Sequence, residues 1–220
     1  MTAPAPTGCP LCRLPSASPW LEVDGSRYHD CGGCGLIFLA PDQRPGAELE
    51  RATYDLHEND PDDPRYRAFL SRLVDPLAAA LAPGAAGLDF GCGPGPAIAP
   101  MMAEAGFSVA NYDPFYHPDA AALSRTYDFI ACSETVEHFH DPAAEFSRLD
   151  GLLNPGGRLG VMTGMVEDRA RFANWNYRRD PTHVAFYSRE TMGWIAGRHG
   201  WTASFPGRTV TLFTKPPAAG

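Results

Sequence analysis

With 220 residues of which 44% are hydrophobic, the chain can bury one core of roughly 150 residues beside a small appendage. No apolar run is long enough to cross a membrane, so no membrane partner is expected. The formal charge of -8 argues against a nucleic-acid partner, because a protein that grips a phosphate backbone usually presents a basic surface.

The first motif in chain order is Cys9-Pro-Leu-Cys12, answered by Cys31-Gly-Gly-Cys34. Two such pairs match the double-knuckle spacing of a tetrahedral zinc site. Four thiolates would fill the coordination sphere, so the predicted Zn2+ is structural. Two disulfides are the alternative. Nothing before Cys9 reads as a secretory signal, which favours a reducing compartment and a cytoplasmic location. His29 is a reserve ligand, and Cys92 and Cys132 read as small buried residues. Arg13 and Arg27 oppose Glu22, Asp24 and Asp30, so the segment is slightly acidic, whereas a ribbon that holds RNA would more often be basic.

Residues 1–40 are thus read as a zinc-ribbon module and residues 41–84 as linker and helical cover. Tyr66, Phe69, Leu70, Leu73, Val74 and Leu77 recur on one helical face, with Asp75-Pro76 able to recap the chain for a further turn and a half. Upstream, the acidic stretch from Tyr54 to Pro64 reads as a solvated loop; the alternative is a lid carrying Tyr54 and His57.

From residue 85 to 220 strands and helices alternate. Candidate strands are 87–90, 107–112, 128–132, 158–163, 201–205 and 209–214; candidate helices are 96–105, 142–153 and 189–199. Asp141-Pro142 reads as a helix start and the Asn154–Gly157 stretch as a stop and turn. The fold class expected is α/β, a Rossmann-like mainly parallel sheet closed by a C-terminal antiparallel hairpin. Asp113 and Tyr127 are too close to hold a helix plus a strand, which predicts a sheet trimmed by one strand.

The stretch LDFGCGPG, Leu88 to Gly95, runs from an apolar strand into a glycine-rich turn, where a cofactor can lie against bare peptide. Asp113 closes the next strand, at the distance where a carboxylate meets a ribose. The order of glycines, with Cys92 between two of them, resembles the first motif of class I S-adenosylmethionine-dependent methyltransferases. YDFIACSETVEHFHDP (127–142) and LNPGGRLGV (153–161) are similar to later strand segments of the same superfamily, so the resemblance spans about residues 85 to 215. It implies that Gly91, Gly93 and Gly95 border the methionine moiety of S-adenosyl-L-methionine, Asp113 its ribose and Asp89 its amino end. The loop that holds adenine in the family has no clear counterpart, so Phe115 and Tyr116 are the candidates for that task. The stretch DPTHVAFYS also resembles a segment found in small bacterial methyltransferases, many with a cysteine-rich amino end.

Methyl transfer needs an electron-rich atom held close to the methyl group and a group to take its proton. Two loops carry candidates. In SETVEHFHD, Glu134 is expected to face the cofactor and His138 is the first choice of base, because imidazole titrates near neutrality. In the loop 174–191, Trp175, Tyr177, Phe186 and Tyr187 surround Arg178, Arg179, Asp180 and His183, which suits a planar or carboxylate-bearing small molecule oriented by His183 or Tyr187. His138, His140, Asp180 and His183 form a candidate second metal site. The expected function is methyl transfer to a small-molecule acceptor. An RNA methyltransferase using the ribbon, and a non-catalytic cofactor-binding assembly or regulatory protein, remain as alternatives. The sequence leaves the acceptor and the oligomeric state open.

Overall fold

The computed structural model describes residues 8–56 and 59–218. β1 (Ala17–Val23) and β2 (Ser26–Cys31) form a hairpin closed by Asp24 and Gly25, both at positive φ, the two-residue turn whose twist suits paired strands. β3 (Ile37–Leu39) follows, then α1 (Ala47–Tyr54) and α2 (Pro64–Ala78). The catalytic-type repeat comprises β4 (Ala86–Phe90), α3 (Ile98–Glu104), β5 (Ser108–Tyr112), β6 (Tyr127–Ser133), α4 (Pro142–Leu152) and β7 (Leu153–Met162). β8 (Ala185–Phe186), α5 (Arg189–His199), β9 (Thr202–Ser204) and β10 (Val210–Thr214) complete the chain.

Helix starts follow the capping residues. The Asp63, Asp141 and Ser188 side chains accept amides of the first turns of α2, α4 and α5, and Pro64 and Pro142 occupy first positions that need no N–H. α2 runs through Pro76 as one helix instead of recapping there, because Leu70, Leu73, Val74 and Leu77 are buried along a single face that spans the proline. β7 likewise begins earlier than expected. The Asn154–Gly157 turn is absorbed as a register jump opposite Tyr127 and Phe129, with Gly156 at φ +80°.

The main sheet has the order β5-β4-β6-β7-β10-β9. β5, β4, β6 and β7 are parallel, while β10 lies antiparallel between β7 and β9, the expected hairpin. Between β5 and β6 the described chain makes an isolated bridge from Asp113 to His117 and a 3-10 turn at Ala120–Leu123, and adds no strand to the sheet, so the sheet is trimmed as expected. Leu73, Leu77 and Met102 pack with Phe129 and Met162 on one face, and Phe146, Leu149 and Ile195 with Ile130 and Leu159 on the other. The strand order reverses at β4 and β6, and an open α/β sheet binds ligands outside the carboxyl ends at such a point.

A second sheet has the order β1-β2-β3-β8. Its last strand comes from the loop 174–191: Ile37 pairs with Phe186 and Phe38 with Ala185. The amino-terminal segment therefore completes its sheet with a strand from the far end of the chain. Its core is continuous with the main one, since Cys9, Cys34 and Leu36 share an apolar cluster with Val136, Phe146 and Tyr187.

Candidate functional site

A cleft of about 810 Å³ opens where β4, β5 and β6 end. Gly91 and Gly93 hold φ of +77° and +65°, values costly for any side chain, and a Cβ on Gly91 would lie 2.3 Å from Thr135 Cγ2. The Gly93 amide donates to Asp113 Oδ2 at 3.0 Å, and the Phe115 and Tyr116 amides donate to Oδ1 at 2.8 and 3.1 Å. One carboxylate thus ties the loop after β4 to the loop after β5. Asp89, expected at the cofactor, does not line the cleft: it is only 2% exposed, and burial, with the Asp113 charge added, pushes its carboxyl up to about 7.

The other end of the cleft is built by the turn after β6. Glu134 sits at φ +46°, and Glu137 and His138 come from the 3-10 turn Val136–His138. Glu137 is fully buried; its oxygens accept from the hydroxyls of Thr163, at 2.8 Å, and Tyr177. The Tyr177 hydroxyl also lies 3.1 Å from Glu134 Oε2, so one phenol links two carboxyl groups. Burial pushes both up, Glu134 to about 8 and Glu137 to about 7. The His138 ring meets the His183 ring at 4.8 Å between centroids. His138 Nδ1 is 3.0 Å from the Thr182 carbonyl oxygen and His183 Nδ1 is 2.7 Å from that of Tyr177. A carbonyl only accepts, so each Nδ1 carries a proton, and Nε2 of His183 lies 3.9 Å from Asp180 Oδ2. Burial holds His138 below the usual imidazole range.

Gly91, Gly93, Asp113, Phe115, Glu134, His138 and His183 all line the cleft, and Tyr116 joins them. Other expected site residues are placed differently. The Gly95 position is approached by the Asn59 main chain so closely that a Cβ would lie 1.7 Å from its carbonyl oxygen, so Gly95 serves that contact. Tyr187 is fully buried and donates to the Val136 carbonyl at 2.9 Å, which places its hydroxyl in packing and not in the cleft. His140 and Asp180 do line the cleft, but His140 bonds Glu50 at 2.8 Å and Asp180 Oδ2 stands 3.9 Å from His183 Nε2, and neither belongs to the group of converging ligand atoms. The described residues that do converge are Glu137, His138 and His183, whose ligand atoms lie within 4.8 Å of one another. Glu137, one of the candidate groups of the loop after β6, is singled out by its full burial and its closeness to both imidazoles.

Of the loop 174–191, Asp180 and His183 reach the cleft, while several of its aromatic side chains pack elsewhere. Phe186 and Trp175 pack with Tyr28 and Phe172 under the ribbon sheet. Arg178 is buried; its guanidinium bonds Asp24 at 2.6 Å and the Phe172 and Ala173 carbonyls. These side chains join the two sheets. Tyr54, from α1, does lie at the cleft, edge-on to Phe115 at 5.7 Å and to His138 at 5.2 Å, whereas His57 is outside the described residues.

At the ribbon, Cys9 and Cys34 sulfurs are 3.6 Å apart and those of Cys12 and Cys31 3.5 Å. Disulfide bonds would need about 2.05 Å, whereas Zn–S bonds of about 2.3 Å directed tetrahedrally separate sulfurs by roughly 3.7 Å. The hydrogen bond with Cys34 holds the Cys9 thiol down at about 5. His29 instead stacks on Phe38 at 5.3 Å.

Residues 63–203 match the methyltransferase-domain family, and the chain belongs to it. It is a class I S-adenosylmethionine-dependent methyltransferase. Among solved structures it is similar to an O-methyltransferase family protein from Burkholderia thailandensis, at 16% identity and TM-score 0.52, over 81% of this chain and 66% of that one. It is also similar to 1,6-didemethyltoxoflavin-N1-methyltransferase of the same organism, solved with 1,6-didemethyltoxoflavin and S-adenosylhomocysteine, at 14% identity and TM-score 0.54, over 90% and 99% of the two chains. No curated protein matches in sequence.

Proposed function

We propose that the cleft transfers a methyl group from S-adenosyl-L-methionine to a small-molecule acceptor. The observation that carries this is the join between the Gly93 amide and the Asp113 carboxylate, which shapes a cofactor cradle at the switch point of the sheet. Gly91, Gly93 and Glu134 would border the methionine end, Asp113 the ribose and Phe115 with Tyr116 the base. Asp89 would contribute negative charge beneath the amino group. When bound, the cofactor supplies an electrophilic methyl group on a sulfonium, open to in-line displacement.

The chain's own residues then orient the acceptor and take its proton. His138 and His183 line the cleft with each Nδ1 held by a backbone carbonyl, so Nε2 would be the atom that takes the proton of a hydroxyl or amine nucleophile. A volume of about 810 Å³ lies in the upper part of the range of roughly 300 to 1,000 Å³ that holds small ligands. A relative of the same fold with bound 1,6-didemethyltoxoflavin and S-adenosylhomocysteine supports this reading. We assign the Cys9, Cys12, Cys31 and Cys34 cluster to a structural zinc ion, with residues 1–40 as its module, 41–84 as linker and helical cover, and 85–220 as the methyltransferase unit. Calorimetry with S-adenosylhomocysteine, followed by a crystal structure of the complex, tests the reading. One molecule per chain with its sulfur facing His138 and His183 is expected. Absence of binding, or a ligand seated elsewhere, overturns it.

A further inference from the structure

We propose that Glu137, His138 and His183 form a binding site for a divalent transition-metal cation, separate from the four-cysteine cluster. The donor atoms already lie within 4.8 Å of one another. Two imidazoles and one carboxylate are the donor set favoured by Mn2+, Fe2+, Co2+ and Zn2+.

A second observation points the same way. Metal-binding histidines almost always donate the other ring N–H to a carbonyl or carboxylate, which fixes the tautomer and aims the lone pair. Both rings do so here, His138 to Thr182 and His183 to Tyr177. The carboxylate is supported as well, since Glu137 takes hydroxyl hydrogen bonds from Thr163 and Tyr177. Glu134 reaches the same phenol, so a second carboxyl group stands beside the first. Among the described residues no Lys or Arg forms an ion pair with Glu134 or Glu137. A buried carboxylate without a cationic partner is costly, and a cation held by two imidazoles offsets that cost. Three protein ligands leave positions open toward the cleft, where water or a donor atom of the acceptor completes the shell. That last point rests on the proposed function; the cation site itself does not.

Cobalt(II) is a suitable probe because thiolate and imidazole-carboxylate sites differ in the visible spectrum. The full chain, with zinc retained on its cysteines, should take up one equivalent of Co2+ showing weak d–d bands and no thiolate charge-transfer band. His183→Ala and Glu137→Gln should each lower that affinity at least about tenfold while the zinc content stays the same. No uptake beyond the cysteine site in the wild-type protein overturns the proposal, and so does uptake unchanged in both variants. A variant that also loses zinc has unfolded, and the wild-type titration then decides. S-adenosylhomocysteine binding measured on the same samples separates the two readings: binding retained by a protein that takes no second cation rejects the cation and leaves the methyl-transfer reading in place.

Discussion

Gly93 and Asp113 stand at the ends of neighbouring parallel strands and are joined by one hydrogen bond of 3.0 Å from the glycine amide to the aspartate Oδ2. The same carboxylate holds the Phe115 and Tyr116 amides, so it positions both loops before any ligand arrives. Replacing Asp113 by Ala should weaken S-adenosylhomocysteine binding by about one to two decades, since hydrogen bonds to a charged group contribute roughly 1.5 to 3 kcal/mol each. It should also lower the melting temperature. Calorimetry that shows unaltered affinity would remove Asp113 from the cofactor site.

Asp89 gives a pH dependence with a definite sign. Its carboxyl is raised to about 7 in the folded protein against an ordinary value of about 3.9, so the stability it contributes is full below about pH 4 and is lost as pH rises through 7. Asp89→Asn should therefore melt higher than wild type at pH 8, by a margin that shrinks as pH falls toward 4. If Asp89 meets the amino end of the cofactor, the same variant should bind S-adenosylhomocysteine more weakly at pH 8. Equal melting curves at pH 8 would show that burial does not hold the proton.

The strand that β8 lends to the ribbon sheet follows His183 of the cleft by two residues, so damage to one should reach the other. Cys31→Ser should release zinc, because structural thiolate sites couple metal binding to folding. Through the pairing of Phe38 with Ala185 it should also loosen the segment that carries His183. Hydrogen exchange should rise both in residues 17–39 and in residues 183–187. Faster exchange confined to the first segment would mean that the two fold independently.

His138→Ala and His183→Ala should leave cofactor affinity nearly intact and lower methyl transfer by about two to four decades, the range of an acid-base or orienting group. Tyr187→Phe should instead cost about 1 kcal/mol of stability with little change in turnover, as its hydroxyl bonds the Val136 carbonyl. A turnover loss in Tyr187→Phe equal to that of the histidine variants would return it to the acceptor site.

Acceptor class is open to a salt titration. Affinity drawn from phosphate contacts falls steeply with salt, and a chain of net charge -8 should show no such binding to bulk RNA. Tight, salt-sensitive association with tRNA would favour the RNA acceptor.

Several features of the molecule were written in local pattern. The paired cysteines fixed the four-sulfur cluster by spacing, the glycines and Asp113 marked a strand-to-helix turn and its acidic neighbour, and alternating apolar runs set the parallel sheet and its missing strand. These depend on backbone conformation and short-range spacing, which neighbouring residues specify. The tertiary structure decided what lies between distant segments. Trp175, Arg178 and Phe186 look like a ligand wall in sequence, yet they pack against Tyr28 and Asp24 because the 174–191 loop lends a strand to the ribbon sheet. Gly95 and Tyr187 likewise make their contacts with distant segments, one apposed to Asn59 and the other bonded to Val136. Glu137 gained its place only through burial beside Thr163 and Tyr177, contacts that span 26 and 40 positions of chain. Such contacts arise when separate elements share one core, and no local periodicity encodes which side chains will meet there.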